Sequence, residues 1–482
     1  MHASETSGAA LSPRRPWLTL AIVGLGVAPG PLDTSVNIAF PAITNAFGIA
    51  VPTIQWVVIC YVLTYASLLL GCGRLSDIVG HKRVFVWGLC WSAVSLTLCG
   101  LAPTFGWFLF FRSLQGIGTA LVLSCGPALA TLSFAAGKRG RILGLYTMLV
   151  ACASTLGPLL GGVLVQRWGW PAVFVFRVPI ALVAAVLVAV VVRQPVAIKP
   201  GQRFDLAGAL TLTLSLSGLL LALNRGNHFG WLSPSTLGLG GMACLCLAFF
   251  VWWERRYDEP VIDISLFRYP AFAMANIAHV LIHVANFIIF LLVPYYLLNA
   301  YRASVTAGGL LLALSPLGVM LASPLGGWLL SRTTAYRLSV LGSMLVLGGL
   351  LGVSQWQADV TRGWITGTLL VQGIGLGLFQ VAIMDFVMGT IPRHQQGVAG
   401  SLTMVTRTIG VVAGATGGAL LFELLRQQYV WQHQAMAVSA AYLESLGFLY
   451  AFRGTFWAAA AVAGAACLLM WSSRFAPRSP SR

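Results

Sequence analysis

The chain has 482 residues, of which 58% are hydrophobic and only 9% charged. A soluble domain carries about 25% charged residues, so a polar shell covering a protein of this size is excluded, and the apolar surplus is expected to face lipid. The formal net charge of +17 does not indicate nucleic acid, because Lys and Arg are scattered in twos and threes (Arg14-Arg15, Lys82-Arg83, Lys138-Arg139) and not gathered into one stripe.

A helix needs about twenty apolar residues to cross about 30 Å of hydrocarbon. Runs of that kind occur at 17–40, 54–73, 83–102, 107–132, 142–165, 172–192, 204–223, 234–253, 271–297, 307–330, 337–355, 363–389, 399–424 and 453–473, which predicts fourteen transmembrane helices. They are continuously apolar and not alternating, so helices are predicted and not a barrel. The first run follows Arg14-Arg15 and resembles a signal peptide over 17–27, but it continues past Asp33 to Ile43 without a clear cleavage site and is read as an uncleaved helix. The nine cysteines lie almost entirely in apolar runs with no zinc or redox spacing, and read as small packing residues.

Loop charge predicts orientation. Loops on the side of the N-terminus carry roughly twenty basic residues and the opposite loops roughly six, which puts both termini in the cytoplasm. Polar segments at about 193–205 and 254–268 bracket the helix pair 204–253. The predicted organisation is a cytoplasmic tail (1–16), an N-terminal six-helix bundle (17–195), linkers with an inserted helix pair (196–268), a C-terminal six-helix bundle (269–475) and a second tail (476–482). A long outer connection is expected over about 425–452.

Four segments carry chemistry. In the first span Asp33 and Asn37 stand in Leu32-Asp33-Thr34-Ser35-Val36-Asn37. A central Asp costs about 2.5–3.5 kcal/mol on insertion scales, and is tolerated where it lines a watery path or binds a proton; the plainer alternative is a structural Asp facing Asn37. Between spans two and three, Gly73 and Gly80 permit a tight turn, Asp77 can accept hydrogen bonds, and Lys82 and Arg83 are basic; the alternative is a loop that only sets orientation. In span four, Arg112 and Gln115 precede Gly116, Gly118 and Ala120. An intramembrane Arg usually faces a cavity or a partner, though one near a span's end can snorkel; the small residues admit a neighbouring backbone. In span five, Gly157-Pro158 and Gly161-Gly162 combine a kink with a close-packing face.

In chain order these segments resemble the helix-one, loop-two, helix-four and helix-five signatures of the major facilitator superfamily. The span count, together with Phe204-Asp205-Leu206-Ala207-Gly208, Gly230-Trp231 and Leu266-Phe267-Arg268, resembles its fourteen-helix drug/proton antiporter branch (EmrB/QacA type). The resemblance implies an all-α, major facilitator-type fold of two six-helix bundles plus an inserted pair. It also implies a bacterial inner-membrane exporter driven by the proton gradient, with no other cofactor and no enzymatic activity. Asp33 would then be a proton or substrate carboxylate, Arg112 would act in proton coupling, Asp77 in a conformational latch, and Gly157-Pro158 in antiport. Two positions depart from the pattern. Ile78 stands where a basic residue usually follows the Asp. Arg177 precedes Val178-Pro179 where Asn is usual, adding a positive charge expected near the outer mouth.

In the second half, Asn276, His279, His283 and Asn286 fall on one stripe of a helix. They are read as cavity-lining or as a packing face, and not as a metal site, since no further ligand is evident. Asp385 is the other deep carboxylate and a candidate for proton or substrate contact; Arg407 resembles a family arginine and is a candidate partner for a carboxylate. Trp56, Tyr61, Tyr65, Tyr295 and Tyr296 are candidates for an aromatic cavity wall or for packing. The expected partners are a small-molecule substrate and the bilayer. Proton-coupled export of an amphipathic drug or natural product is the leading reading. Beside it stand a transporter dedicated to one metabolite and a non-transporting membrane sensor. No phosphate-binding Gly-rich loop is present to support an ATP-driven pump.

Overall fold

The computed structural model describes residues 16–132, 134, 139–192, 233–256, 268–390, 396–434 and 439–473, with single positions between 207 and 222. Every described regular element is helical. The predicted first span is two helices, α1 (Pro16–Val27) and α2 (Ser35–Phe47), separated by a 3₁₀ turn at Pro31–Thr34. The cause is Pro29-Gly30-Pro31: each proline lacks an N–H, and the continuous hydrogen-bond ladder cannot pass. Asp33 sits in that break.

After the 3₁₀ turn Val51–Ile54 come α3 (Gln55–Val79), α4 (His81–Gly100), α5 (Phe105–Leu132), α6 (Arg139–Trp168), the short α7 (Ala172–Val175) and α8 (Arg177–Val191). The expected loop at 73–83 is instead helical up to Val79, and the whole reversal is made at Gly80, whose φ of 106° excludes other residues. Gly116 and Gly118 let neighbours approach as expected. A Cβ on Gly116 would lie 2.8 Å from the Tyr61 carbonyl of α3, and one on Gly118 would lie 3.1 Å from the Gly88 carbonyl of α4.

The remaining helices are α9 (Pro234–Glu254), α10 (Pro270–Tyr295) with a π turn at Tyr296–Ala300, α11 (Val305–Leu312), α12 (Leu314–Leu330), α13 (Ala335–Ser354), α14 (Arg362–Gly389), α15 (Gln396–Gln432) and α16 (Ala440–Ser472). The expected connection over 425–452 is largely helical, because α15 and α16 extend past the apolar core. Arg426 ties them together through Glu423 (2.7 Å) and Glu444, and Tyr429 packs on Tyr450. Their polar and aromatic side chains lower the apolar signal without breaking the helix.

Thirteen described stretches are long and apolar enough to cross a membrane. The predicted helix at 204–223 lies mostly outside the described residues; at its described position Gly218, a Cβ would stand 3.1 Å from the Ala243 Cβ of α9. Leu182, Val183, Val186 and Val190 on α8, and Leu237, Met242 and Leu245 on α9, are exposed. Large apolar side chains on an outer face are what a lipid solvent accepts. The chain is a multi-pass membrane protein.

Helices α1–α8 pack among themselves, and α10–α16 do the same. One face of the molecule gathers the start of α1 and the end of α5 (Trp17 on Phe134), the start of α4 and the end of α8 (Lys82 Nζ to Ala189 O, 2.8 Å), and the start of α13 and the end of α16 (Tyr336 OH to Trp471 O, 3.3 Å). The two halves touch at the opposite face. There the hydroxyls of Thr44 on α2 and Tyr295 on α10 share a hydrogen bond, and Thr306 of α11 donates to Gln166 Oε1 of α6 (2.6 Å).

Candidate functional site

The break between α1 and α2 turns Asp33 into the interior of the first half. Arg112 of α5 meets its carboxylate with a bidentate fork, Nη1 to Oδ1 at 2.7 Å and Nη2 to Oδ2 at 2.9 Å. Such fork-to-carboxylate pairs are the strongest and most directional of side-chain hydrogen bonds. Gln115, almost one turn along α5, accepts from Arg112 Nη1 (2.7 Å) and donates to Asp33 Oδ1 (3.1 Å). Arg112 Nε donates to the Val57 carbonyl (2.8 Å), and its guanidinium lies 4.4 Å from the centre of the Tyr61 ring. Arg112 therefore does not snorkel: its side chain is 0% exposed, against 13% for Asp33.

Arg177 is the residue whose place the sequence concealed. It lies not at an outer mouth but inside the same knot, 0% exposed, with Nη1 2.7 Å from Asp33 Oδ1. The same nitrogen donates to the Pro29 carbonyl (3.2 Å), one of the acceptors that the broken first span leaves open, and Nε donates to Val173 O (3.0 Å). Nη2 is buried with no partner. Both guanidiniums flank Phe174 of α7, at 5.7 and 5.3 Å from its ring centre. One carboxylate thus faces two cations, and the knot carries a surplus positive charge. Breaking a buried pair of this kind costs about 3–5 kcal/mol.

The glycine motif of α6 joins this knot to the second half. Gly161 abuts the broken span: a Cβ there would lie 2.7 Å from Ser35 O, while Thr34 Oγ1 donates to Ser154 O (2.8 Å). Gly157 faces Thr34 and Ser35 in the same way. Gly162 faces the other way, where a Cβ would stand 2.8 Å from Val305 O and 3.2 Å from the Cα of Gly309 on α11; Pro158 offers its carbonyl to the same glycine. Two backbones cross there with no side chain between them.

The polar stripe of α10 is buried, as its spacing suggested, and is wholly neutral or imidazole. Thr406 of α15 donates to Asn276 Oδ1 (3.3 Å) or Thr403 O, and shares a hydrogen bond with His279 Nδ1 (3.2 Å). His283 Nδ1 donates to the His279 carbonyl (2.9 Å), which leaves Nε2 to face Gln380 Nε2 of α14 at 3.4 Å. Gln372 of α14 donates to Asn286 Oδ1 (2.6 Å) and accepts from Ser315 of α12 (2.6 Å). No cluster of metal ligands exists among the described residues.

The other candidates fall elsewhere. Asn37 is buried one turn beyond Asp33, which pairs with the two arginines and Gln115 and not with it. Gln115 belongs to the knot and does not line an open cavity. Asp385 is not deep: it is exposed, four residues before the end of α14. Arg407 is exposed on α15, between Thr406, which hydrogen-bonds His279, and Gly410, where a Cβ would lie 2.7 Å from the His283 Cβ. Gly73 has open space around it, Lys82 reaches α8, and Arg83 is exposed. The Asp77 side chain lies outside the described residues. Pro29-Gly30-Pro31 was the unread signal, since two prolines flanking a glycine inside an apolar run mark a broken span.

The family model described as Major Facilitator Superfamily matches residues 17–415. The chain belongs to that superfamily. Among curated members it is 31% identical to a tetracenomycin C resistance and export protein of Streptomyces glaucescens, over 87% of this chain and 79% of that one. It is 26% identical to the riboflavin transporter RibZ of Clostridioides difficile, over 93% and 95%. Its fold matches that of a bacterial homologue of the human lysosomal transporter Spinster, crystallised inward-facing and unoccupied. The TM-score is 0.69 at 15% identity, covering 98% of this chain and 100% of that one. As a member of the superfamily, the chain is a membrane transporter of small molecules and not an enzyme.

Proposed function

We propose that this protein is a proton-driven exporter of amphipathic drugs or natural products, of the fourteen-helix drug/proton antiporter branch. In this reading it lies in the bacterial inner membrane with both termini in the cytoplasm, works by alternating access and needs no cofactor beyond the proton gradient. The observation that carries it is the knot on Asp33. A proton on that carboxylate removes the ionic partner of Arg112 and of Arg177 at once, and with it the tie that holds the broken first span to α5 and α8. Gly157 and Gly161 bear on the same segment, while Gly162 bears on the other half. One protonation event therefore reaches the contact between the halves through α6. The excess of basic loops on the face of the termini supports the orientation, and the resistance-and-export relative supports the direction of transport.

The test is dye accumulation in bacteria lacking their own efflux pumps. Expression is expected to lower accumulation, a protonophore to abolish the effect, and Asp33→Asn to remove it at equal membrane abundance. Unchanged accumulation across a broad panel, with the protein confirmed in the membrane, refutes export. A second reading, a transporter dedicated to one metabolite, is favoured by the riboflavin transporter relative, which matches nearly the whole chain. It predicts movement of one compound and indifference to the rest.

A further inference from the structure

We propose, resting on the transport reading above, that the molecule carried is an organic anion with an aromatic or apolar body, and that Arg407 is the residue that reads its charge. Arg407 stands eleven residues into α15, about 16 Å along that helix, next to Thr406, which hydrogen-bonds His279 of α10, and one turn before Gly410, where a Cβ would lie 2.7 Å from the His283 Cβ; α15 also packs on α3, which carries Tyr65. It is exposed there, between an element of the first half and elements of the second. Among the described residues no carboxylate pairs with it. An arginine within a membrane-spanning helix normally has a counter-ion. The comparison with Arg426, on the same helix, is direct: Arg426 grips Glu423 and Glu444.

The rest of the interior does not balance this charge. Asp33 is already held by both Arg112 and Arg177. Among the described residues the two buried guanidiniums of the first half already outnumber their one carboxylate, and Arg407 adds a further positive charge with no anion paired to it. Asp385 stands four residues before the end of α14 and is not paired with Arg407. A cationic solute meets repulsion on this path. An anionic one supplies the missing partner, and a guanidinium fork fits a carboxylate or sulfonate in two parallel hydrogen bonds. Tyr65 packs on Tyr61 at 5.3 Å, which gives the body of the solute an aromatic wall next to the charge.

The experiment uses the full chain in detergent and in vesicles. Thermal shifts are read with 2-naphthoate, its methyl ester and 2-naphthylmethylamine, and transport with fluorescein against the cationic dye rhodamine 123. The acid is expected to stabilise the protein more than the ester or the amine, and fluorescein to be moved in preference to rhodamine 123. Arg407→Gln is expected to lower the acid-to-ester affinity ratio about tenfold, and Arg407→Lys to retain most of it. Equal or better binding of ester or amine, preference for rhodamine 123, or an unchanged ratio in Arg407→Gln overturns the charge assignment while leaving transport intact. If neither dye moves and no probe shifts the melting temperature, transport itself is refuted and this assignment with it.

Discussion

In the first half, Asp33 is tied by ionic hydrogen bonds to Arg112 and Arg177, whereas in the second half Gln372 links Asn286 to Ser315 by neutral ones. Both sets are buried within spans, but they obey different rules. A neutral amide or hydroxyl that loses one partner can take another, at a net difference of about 0.5–1.5 kcal/mol per bond. A buried ion cannot, because among the described residues no second carboxylate reaches either arginine. The first half is thus built to respond to a change of charge, and the second to exchange hydrogen-bond partners.

The largest expected effect tests the ionic half. Asp33→Asn leaves two fully buried guanidiniums without an anion, and is expected to destabilise the protein by about 3–5 kcal/mol. Adding Arg177→Asn removes one of the two orphaned charges, and is expected to recover part of that loss; thermal unfolding in detergent of the single and double variants measures the coupling. If the double variant is no better than Asp33→Asn alone, Arg177 is not part of the knot in solution.

The neutral half is expected to tolerate more. Gln372→Leu strands Asn286 Oδ1 and the Ser315 hydroxyl and is expected to cost about 1–3 kcal/mol, without changing the sensitivity of transport to a protonophore. A protonophore-insensitive Gln372→Leu protein erases the proposed division of labour. The smallest effect belongs to the seam between the halves. Tyr295→Phe removes the hydrogen bond to Thr44 and is expected to cost about 0.5–1.5 kcal/mol. Because that bond joins α2 to α10 across the two halves, cysteine cross-linking across α2 and α10 is expected to fall in this variant.

The helices were legible because a lipid solvent demands unbroken apolar runs, and those runs are in the sequence itself. Asp33 and Arg112 were legible for the same reason, as ions placed where ions are expensive. Arg177 is visible in the sequence as a charge, but its place is not. Its distance along the chain does not reveal that the short α7 resets the direction of the helix and turns the side chain inward. The ends of α15 and α16 are not legible as helix, because a helix projecting beyond the hydrocarbon carries polar and aromatic residues, as a loop does. The reversal at Gly80 was read as a loop because glycines and charges suggest one, although a single residue with positive φ suffices.

That one-residue reversal has a mechanical consequence. With no slack between them, α3 and α4 are a pair of rods clamped at one end, and a tilt of either must carry the other. The outer rod is fastened to α8 by Lys82 on Ala189, and the inner one, which carries Tyr65, packs on α15. A tilt of α3 against α15 is therefore expected to reach α8 at the outside of the bundle, where the thickness and lateral pressure of a surrounding bilayer would act on it.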